Sequence, residues 1–357
     1  MAARYDGAIP LIGIAVGGIA VAAMLVVQGR LGLVAPHGDG DTLAGVTRRY
    51  LGAHSNRATQ LVLSLAMIGW MGFNVGLGGA GLGAVLGLPQ PFGQLLLAAP
   101  FALLAFGGMR RWNWLAIVTT CTSVALVVLI LTQLAAPGSP VTTEISRGWF
   151  IDATVCIGYV AVFALRAPDF SYALARPRDL YASAGLLVGT MMGNALAGVA
   201  LYRGTGQVDV VTTIATGEAA DIGNLLIAMS VVAPSFATLH SGSMALTAFS
   251  GWSKRVTTLV VLVVGTGLAS LRFDQFLQSW LSVLAVALPS LLVPITVASR
   301  YRWRHGKVGK ITVWMWLPGS VVGLAVWPFS ESLAVLFALL VAGAATFTLR
   351  KKLFVAR

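Results

Sequence analysis

Charged side chains are scarce in this sequence. Asp, Glu, Lys and Arg make up 10% of its 357 residues, whereas a soluble domain carries about 25%. With 57% hydrophobic residues and a mean hydropathy of +0.84, the surface of any fold this chain adopts needs lipid as its solvent. Cysteine is almost absent. Cys121 and Cys156 lie in apolar runs, which excludes a disulfide framework or a thiolate metal site. The four histidines, at positions 37, 54, 240 and 305, have no metal-ligand spacing, so no metal or cofactor is expected. No glycine-rich loop ends in Lys-Ser or Lys-Thr, so the chain is not by itself an ATP-driven pump. No Gly-x-Ser-x-Gly context supports a serine hydrolase. The expectation is therefore not an enzyme. A cleaved leader does not fit either: the apolar run at 9–28 exceeds a signal core, and Arg30 follows it directly. No Ser/Gly linker divides the chain, so 1–357 reads as one membrane domain.

What the sequence has in quantity is apolar runs of about 20 residues, the length that crosses a bilayer. They fall at 9–28, 58–86, 93–108, 113–135, 149–165, 180–202, 222–249, 255–271, 275–299, 309–328 and 333–349. The runs are continuous rather than alternating, and open sheet edges cannot face lipid, so these are helices. Basic residues test the count. Alternating the connectors between two sides puts twenty of the 24 Lys and Arg on one side; only Arg4, Arg147, Arg203 and Arg272 fall on the other. Lys and Arg collect on the cytoplasmic side, which predicts an inner-membrane protein with its C-terminus inside and its N-terminus outside. The net charge of +12 thus orients the chain in the membrane. It is not interleaved with exposed aromatics, and nucleic acid is excluded as a partner. In the first connector, 42–51 is expected to form a short surface helix.

Four spans carry candidate chemistry. The second holds Gly69, Gly72, Gly76, Gly78, Gly79, Gly81 and Gly83, with the small-xxx-small spacing of closely packed helices. Trp70 sits mid-span, away from the interfacial belt, and Asn74 follows at i+4 on the same face. An aromatic plate beside an amide suits a flat, hydrogen-bonding ligand; tight packing alone would give the same pattern. In the fifth span Tyr159 and Phe163 form an i, i+4 aromatic pair, which also fits an ordinary core. That span ends at Arg166 and Pro168-Asp169, where the charges read as a solvated helix end.

The seventh span is broken by Pro234, which cannot bond the carbonyl of Ser230. In lipid that carbonyl needs another partner, and discontinuous helices mark the binding sites of transporters. His240, an ionisable group within the same span, is a functional candidate; a neutral histidine bonded to a helix carbonyl is the other reading. Pro289 and Pro294 break the ninth span in the same way.

Several segments, taken in order, resemble the nucleobase–cation symporter family, most closely its cytosine/purine permease branch. Residues 68–74 (Ile-Gly-Trp-Met-Gly-Phe-Asn) resemble the third-helix motif of that family. The stretch from Ile157 through Pro168-Asp169-Phe170 to Ala175 resembles its sixth helix and the ending of that helix. Met192-Gly-Asn194 resembles part of its seventh helix, 241–254 the end of its eighth, and 45–52 the short helix before its third. The resemblance implies an all-α polytopic membrane protein with a LeuT-like five-plus-five inverted-repeat bundle, the first helix missing, and about 11 transmembrane helices. The incomplete first repeat would be 9–135, the second 149–299, and 309–349 two extra C-terminal helices.

Carried over residue by residue, the stacking tryptophan of the family falls on Trp70. Its amide falls on Asn74 or, in the cytosine branch, on Met67. Its sixth-helix aromatic falls on Tyr159 or its neighbour Val160. The substrate asparagine of its eighth helix falls on Ser230, and its sodium-binding hydroxyl pair on Ala233 and Pro234, which carry no hydroxyls. The counterpart of the family's first helix is absent: 4–28 matches the second, as in an N-terminal truncation or a degenerate relative.

The resulting expectation is a membrane permease for a small planar heterocycle of the cytosine, purine, allantoin or hydantoin class. It would work by secondary transport with alternating access, coupled to sodium or a proton. The candidate substrate residues are Trp70, Asn74, Tyr159, Phe163, Ser230 and His240, and the candidate ion positions Ala233 and Pro234. The alternatives are a carrier of the same fold for an amino acid or amine, and a non-transporting membrane relative.

Overall fold

The computed structural model describes residues 9–34, 38–106, 112–134, 148–206, 220–306 and 309–351. Among these, 309–316, the start of the tenth expected span, is irregular and 3-10 backbone and leaves Leu317–Val326 as its α-helix; the expected spans otherwise fall on helices. In chain order they are α1 (Leu11–Gly32), α2 (Leu43–Tyr50), α3 (Ala53–Leu86), α4 (Phe92–Phe106), α5 (Trp112–Leu129), α6 (Trp149–Leu165), α7 (Ala167–Ser171), α8 (Pro177–Thr205), α9 (Ala220–Ser230), α10 (Val232–Ser250), α11 (Lys254–Ser270), α12 (Leu277–Ala287), α13 (Pro289–His305), α14 (Leu317–Val326) and α15 (Glu331–Thr348). The described residues contain no strand beyond an isolated bridge between Leu51 and Ile311. Six helical stretches are long and apolar enough to cross a membrane: Leu11–Gly32, Ala53–Leu86, Trp114–Thr132, Pro177–Thr205, Ala220–Ser250 and Phe273–His305. Shorter apolar helices accompany them, so this is a multi-pass membrane protein. The ends of the third and fourth expected spans, the connectors 136–147 and 207–219, Arg4, Arg110, Arg111, Arg147, Lys307, Lys352, Arg357 and His37 lie outside the described residues.

The helices sort into two compact units, each drawn from separate parts of the chain. Of the described residues, the first takes 60–134, 194–206 and 220–277, and the second takes 10–59, 148–193 and 278–351.

In the first unit α3 is the central rod. Ile68, Met71 and Val75, spaced three and four apart, pack with Leu97 and Phe101 of α4, Leu239 of α10, and Val261 and Leu262 of α11. This is the apolar stripe that a helical period predicts. Along its length α3 also meets the broken seventh span. Gly81 lies against Asn224, Gly78 against Ala228 and Val231, and Met67 against Gly242; the Thr238 hydroxyl lies 3.7 Å from the Met71 sulfur. As the residue number rises on α3 it falls on the partner, so the two run antiparallel. The approach is close: a Cβ on Gly78 would clash with the Val231 side chain, and one on Gly242 would sit 2.9 Å from Met67 Cβ.

In the second unit α1 runs parallel to α6 and α7. Gly13 abuts Asp152, Gly17 abuts Cys156, and Gly32 abuts Pro168 and Ser171. Small residues let these helices approach closely where lipid supplies no hydrophobic drive. The helix expected at 42–51 is α2, and it is docked rather than lying loose on a surface. Leu43, Val46 and Tyr50 are buried, at i, i+3 and i+7. Its first N–H, from Leu43, donates to Asp169 Oδ1 at 2.8 Å. Its last carbonyls, of Arg48 and Arg49, accept from Lys310 Nζ at 2.6 and 2.7 Å. A carboxylate at the helix start and a cation at its end both complement the helix dipole.

Asp39, with a side chain 4% exposed, completes the dock. It pairs with Arg302 at 3.1 Å and Arg49 at 3.5 Å, and accepts from the Tyr50 hydroxyl at 2.5 Å. Burial, and then the hydrogen bond to Asp39, hold the Tyr50 phenol above its ordinary value. Lys310 is pushed down by desolvation and by the Arg302 and Arg49 charges. Arg166 and Asp169, expected as solvated charges, instead form a half-buried pair at 2.7 Å, because Asp169 is recruited to cap α2.

Candidate functional site

The break in the seventh span is where backbone polarity is exposed. α9 ends at Ser230 and α10 begins at Val232. In an unbroken helix the Ala233 N–H would bond the Met229 carbonyl. Here the hydroxyl of Thr119, on α5, stands in that rung: it accepts from the Ala233 N–H at 3.2 Å and donates to the Met229 carbonyl at 3.4 Å. The following rung has no donor, because Pro234 lacks an N–H. The ladder resumes at Ser235, whose N–H bonds the Val231 carbonyl at 2.9 Å.

Opposite this break stands α3. Met67, Asn74, Gly78 and Gly81, at i, i+7, i+11 and i+14, share the side of α3 that faces the broken span. Val231, Ser235, Thr238 and Gly242, at i, i+4, i+7 and i+11, form the answering stripe. Since Gly78 meets Val231 and Met71 meets Thr238, Asn74 is level with the residues between them, at the break. Asn74 is 5% exposed, and its amide makes no hydrogen bond among the described residues. Ser235 is wholly buried and its hydroxyl also has no partner. The Ser235 hydroxyl, fully enclosed in an apolar seam, is costly when unpaired, since such groups are almost always paired. Trp70 lies one turn from Asn74, at the flank of the seam. It is 3% exposed, with its ring edge-to-face to Phe73 at 5.6 Å and 82°.

The other candidates are placed as follows. Ser230 spends its hydroxyl on the Ile227 carbonyl at 2.8 Å, so the hydroxyl beside the break without a partner is that of Ser235. Ala233 is buried and turned to α5; Pro234 is half-buried. His240 is half-buried on the side of α10 opposite the α3-facing stripe, so it does not join Trp70 and Asn74. Met67 packs against Gly242. Tyr159 and Phe163 belong to the second unit, on one face of α6; Tyr159 is 40% exposed and Phe163 half-buried.

No family model matches the chain, and no curated protein matches it in sequence. Solved structures do. One is described as the inward-facing conformation of Mhp1: TM-score 0.74, 15% identity, covering 99% of this chain and 87% of that one. Another is described as Mhp1, a nucleobase-cation-symport-1 family transporter, in a closed conformation with bromovinylhydantoin bound: TM-score 0.73, 16% identity, covering 99% and 89%. The chain has a LeuT-like transporter fold. At this identity the likeness speaks to the fold, and the site rests on the chain's own residues.

Thr119 was not singled out from the sequence, and Ser235 was not among the candidate substrate residues. A signal for Thr119 existed: it begins the run Thr119-Thr-Cys-Thr-Ser123, a cluster of hydroxyls in an otherwise apolar span. For Ser235 the signal was its place directly after the break-making proline.

Proposed function

We propose that the protein is a secondary transporter of the nucleobase–cation symport kind, a permease for a small planar heterocycle of the cytosine, purine, allantoin or hydantoin class. The observation that carries this reading is the wholly buried Ser235 hydroxyl without a partner, beside a broken helix and level with Asn74, which lies one turn of α3 from a buried tryptophan. A flat ring against Trp70 gains about 0.5–1.5 kcal/mol beyond its buried area. Its polar edge would satisfy Asn74 and Ser235, groups that are costly when left alone. Tyr159 and Phe163, in the second unit, remain proposed substrate residues on the strength of the family resemblance. The same reading takes 9–135 and 149–299 as the two repeats of an alternating-access device.

For the coupling ion, the side chains do not fit a sodium site at the family's positions. Ala233 and Pro234 offer no side-chain oxygen ligand. No step is routed through sodium, and uptake is expected to persist when sodium is replaced by potassium.

Uptake of labelled cytosine, adenine, hydantoin and allantoin into proteoliposomes tests the proposal. The expected result is saturable uptake of at least one, lost in Trp70→Ala at an unchanged level of inserted protein. Unchanged uptake in that variant removes Trp70 from the site. Competition by amino acids or amines, and not by any heterocycle, would replace the substrate class while leaving the fold intact.

A further inference from the structure

α5 carries four hydroxyls within five residues, and only one of them reaches another helix. Thr120 bonds the Ala116 carbonyl at 2.8 Å, Thr122 the Val118 and Thr119 carbonyls, and Ser123 the Thr119 carbonyl at 2.7 Å. All of these are bonds within α5, the usual resort of such residues in a helix. Thr119, which is 7% exposed, instead places its hydroxyl between Met229 and Ala233. A side chain inserted into the i to i−4 ladder is a recognised cause of a sharp bend.

We propose that Thr119 is the positioning residue of the break, a clasp on α5 that holds α9 and α10 apart by one rung and so keeps the neighbouring Ser230 carbonyl available to a ligand. The proline alone removes one hydrogen bond. Thr119 widens the gap by a second rung while satisfying both groups that this opens, so the bend is held without an orphaned N–H. If the hydroxyl leaves and vacates its space, Ala233 and Met229 can bond each other directly and the segment straightens. The shape of the break is therefore set by where α5 lies. The effect on ligand binding rests on the transport reading above; the clasp itself does not.

The test uses Thr119→Val, which keeps the shape and removes the hydroxyl, and Thr119→Ser, which keeps the hydroxyl. Hydrogen–deuterium exchange of the detergent-solubilised protein is read on peptides covering 229–236. The valine methyl blocks the rung from closing, so the Ala233 amide should exchange about tenfold faster in Thr119→Val, and at the parent rate in Thr119→Ser. In uptake, KM should rise in the valine variant and recover in the serine variant. Parent-like exchange in Thr119→Val, or equal disturbance in both variants, overturns the clasp. If the parent protein takes up none of the heterocycles, the exchange result still decides the clasp, and only the transport reading falls. If Thr119→Val does not fold, Thr119→Ala replaces it. The vacated space should let the rung close, giving exchange no faster than the parent but an altered KM; faster exchange there overturns the straightening.

Discussion

Two polar regions of this protein are built on opposite principles. Around α2, in the second unit, polar groups are saturated with partners. Asp39 is met by Arg302, Arg49 and Tyr50, Asp169 by Arg166 and the Leu43 N–H, and Lys310 by two carbonyls. In the α3 seam of the first unit, Asn74 and Ser235 have none, and a backbone rung is missing beside them. Saturated networks in a low dielectric fix structure. Unsatisfied groups are retained against their cost where something else satisfies them, which is why the seam and not the dock is assigned to the ligand.

Substitutions can break this contrast, beginning with the largest effect. Asp39→Ala leaves the Arg302 charge without its carboxylate and should cost about 3–5 kcal/mol, the loss typical of breaking a buried pair; chemical denaturation in detergent measures it. Tyr50→Phe removes one hydrogen bond to that carboxylate and should cost about 1.5–3 kcal/mol. Asn74→Leu is the counter-experiment. It replaces an amide that makes no hydrogen bond among the described residues by an apolar group of similar size, so stability should change by less than about 1 kcal/mol while uptake fails. A strong destabilisation in Asn74→Leu would mean that the seam is a scaffold like the dock.

The smallest effect is in pH. Tyr50 has its folded value raised above the 10.0 of an unfolded chain. Its contribution to stability is therefore whole below about pH 10 and is lost as pH rises beyond that toward the folded value. Melting temperature should decline above about pH 10, less so in Tyr50→Phe.

The spans were legible because lipid imposes a length and a composition that hydropathy reports directly. Pro234 announced the break, since a missing N–H is a property of one residue. Trp70 and Asn74 could be placed on one face from their spacing alone. Distant partnerships were not legible. Nothing local to Asp39 points to Arg302, 263 residues away, and nothing local to Thr119 says that its hydroxyl leaves its own helix when those of Thr120, Thr122 and Ser123 do not. Ser230 was the candidate because the family's substrate asparagine falls on it and its carbonyl lies at the break. A serine's rotamer decides whether its hydroxyl turns back on its own helix, and composition carries no trace of that choice. The division into two units was hidden as well, because each gathers segments from both halves of the chain.

The dock around α2 has a consequence for how the protein is made. Asp169 is synthesised more than a hundred residues after this helix. Arg302, Lys310 and the Ile311 backbone that bridges Leu51 come later still in the chain. Until the ribosome has passed that point, the first connector holds an uncapped helix and an unmatched carboxylate. A nascent chain arrested before Arg302 should present a protease-sensitive stretch that the closed dock conceals, so the closing of this dock reports that residues 302–311 have been made.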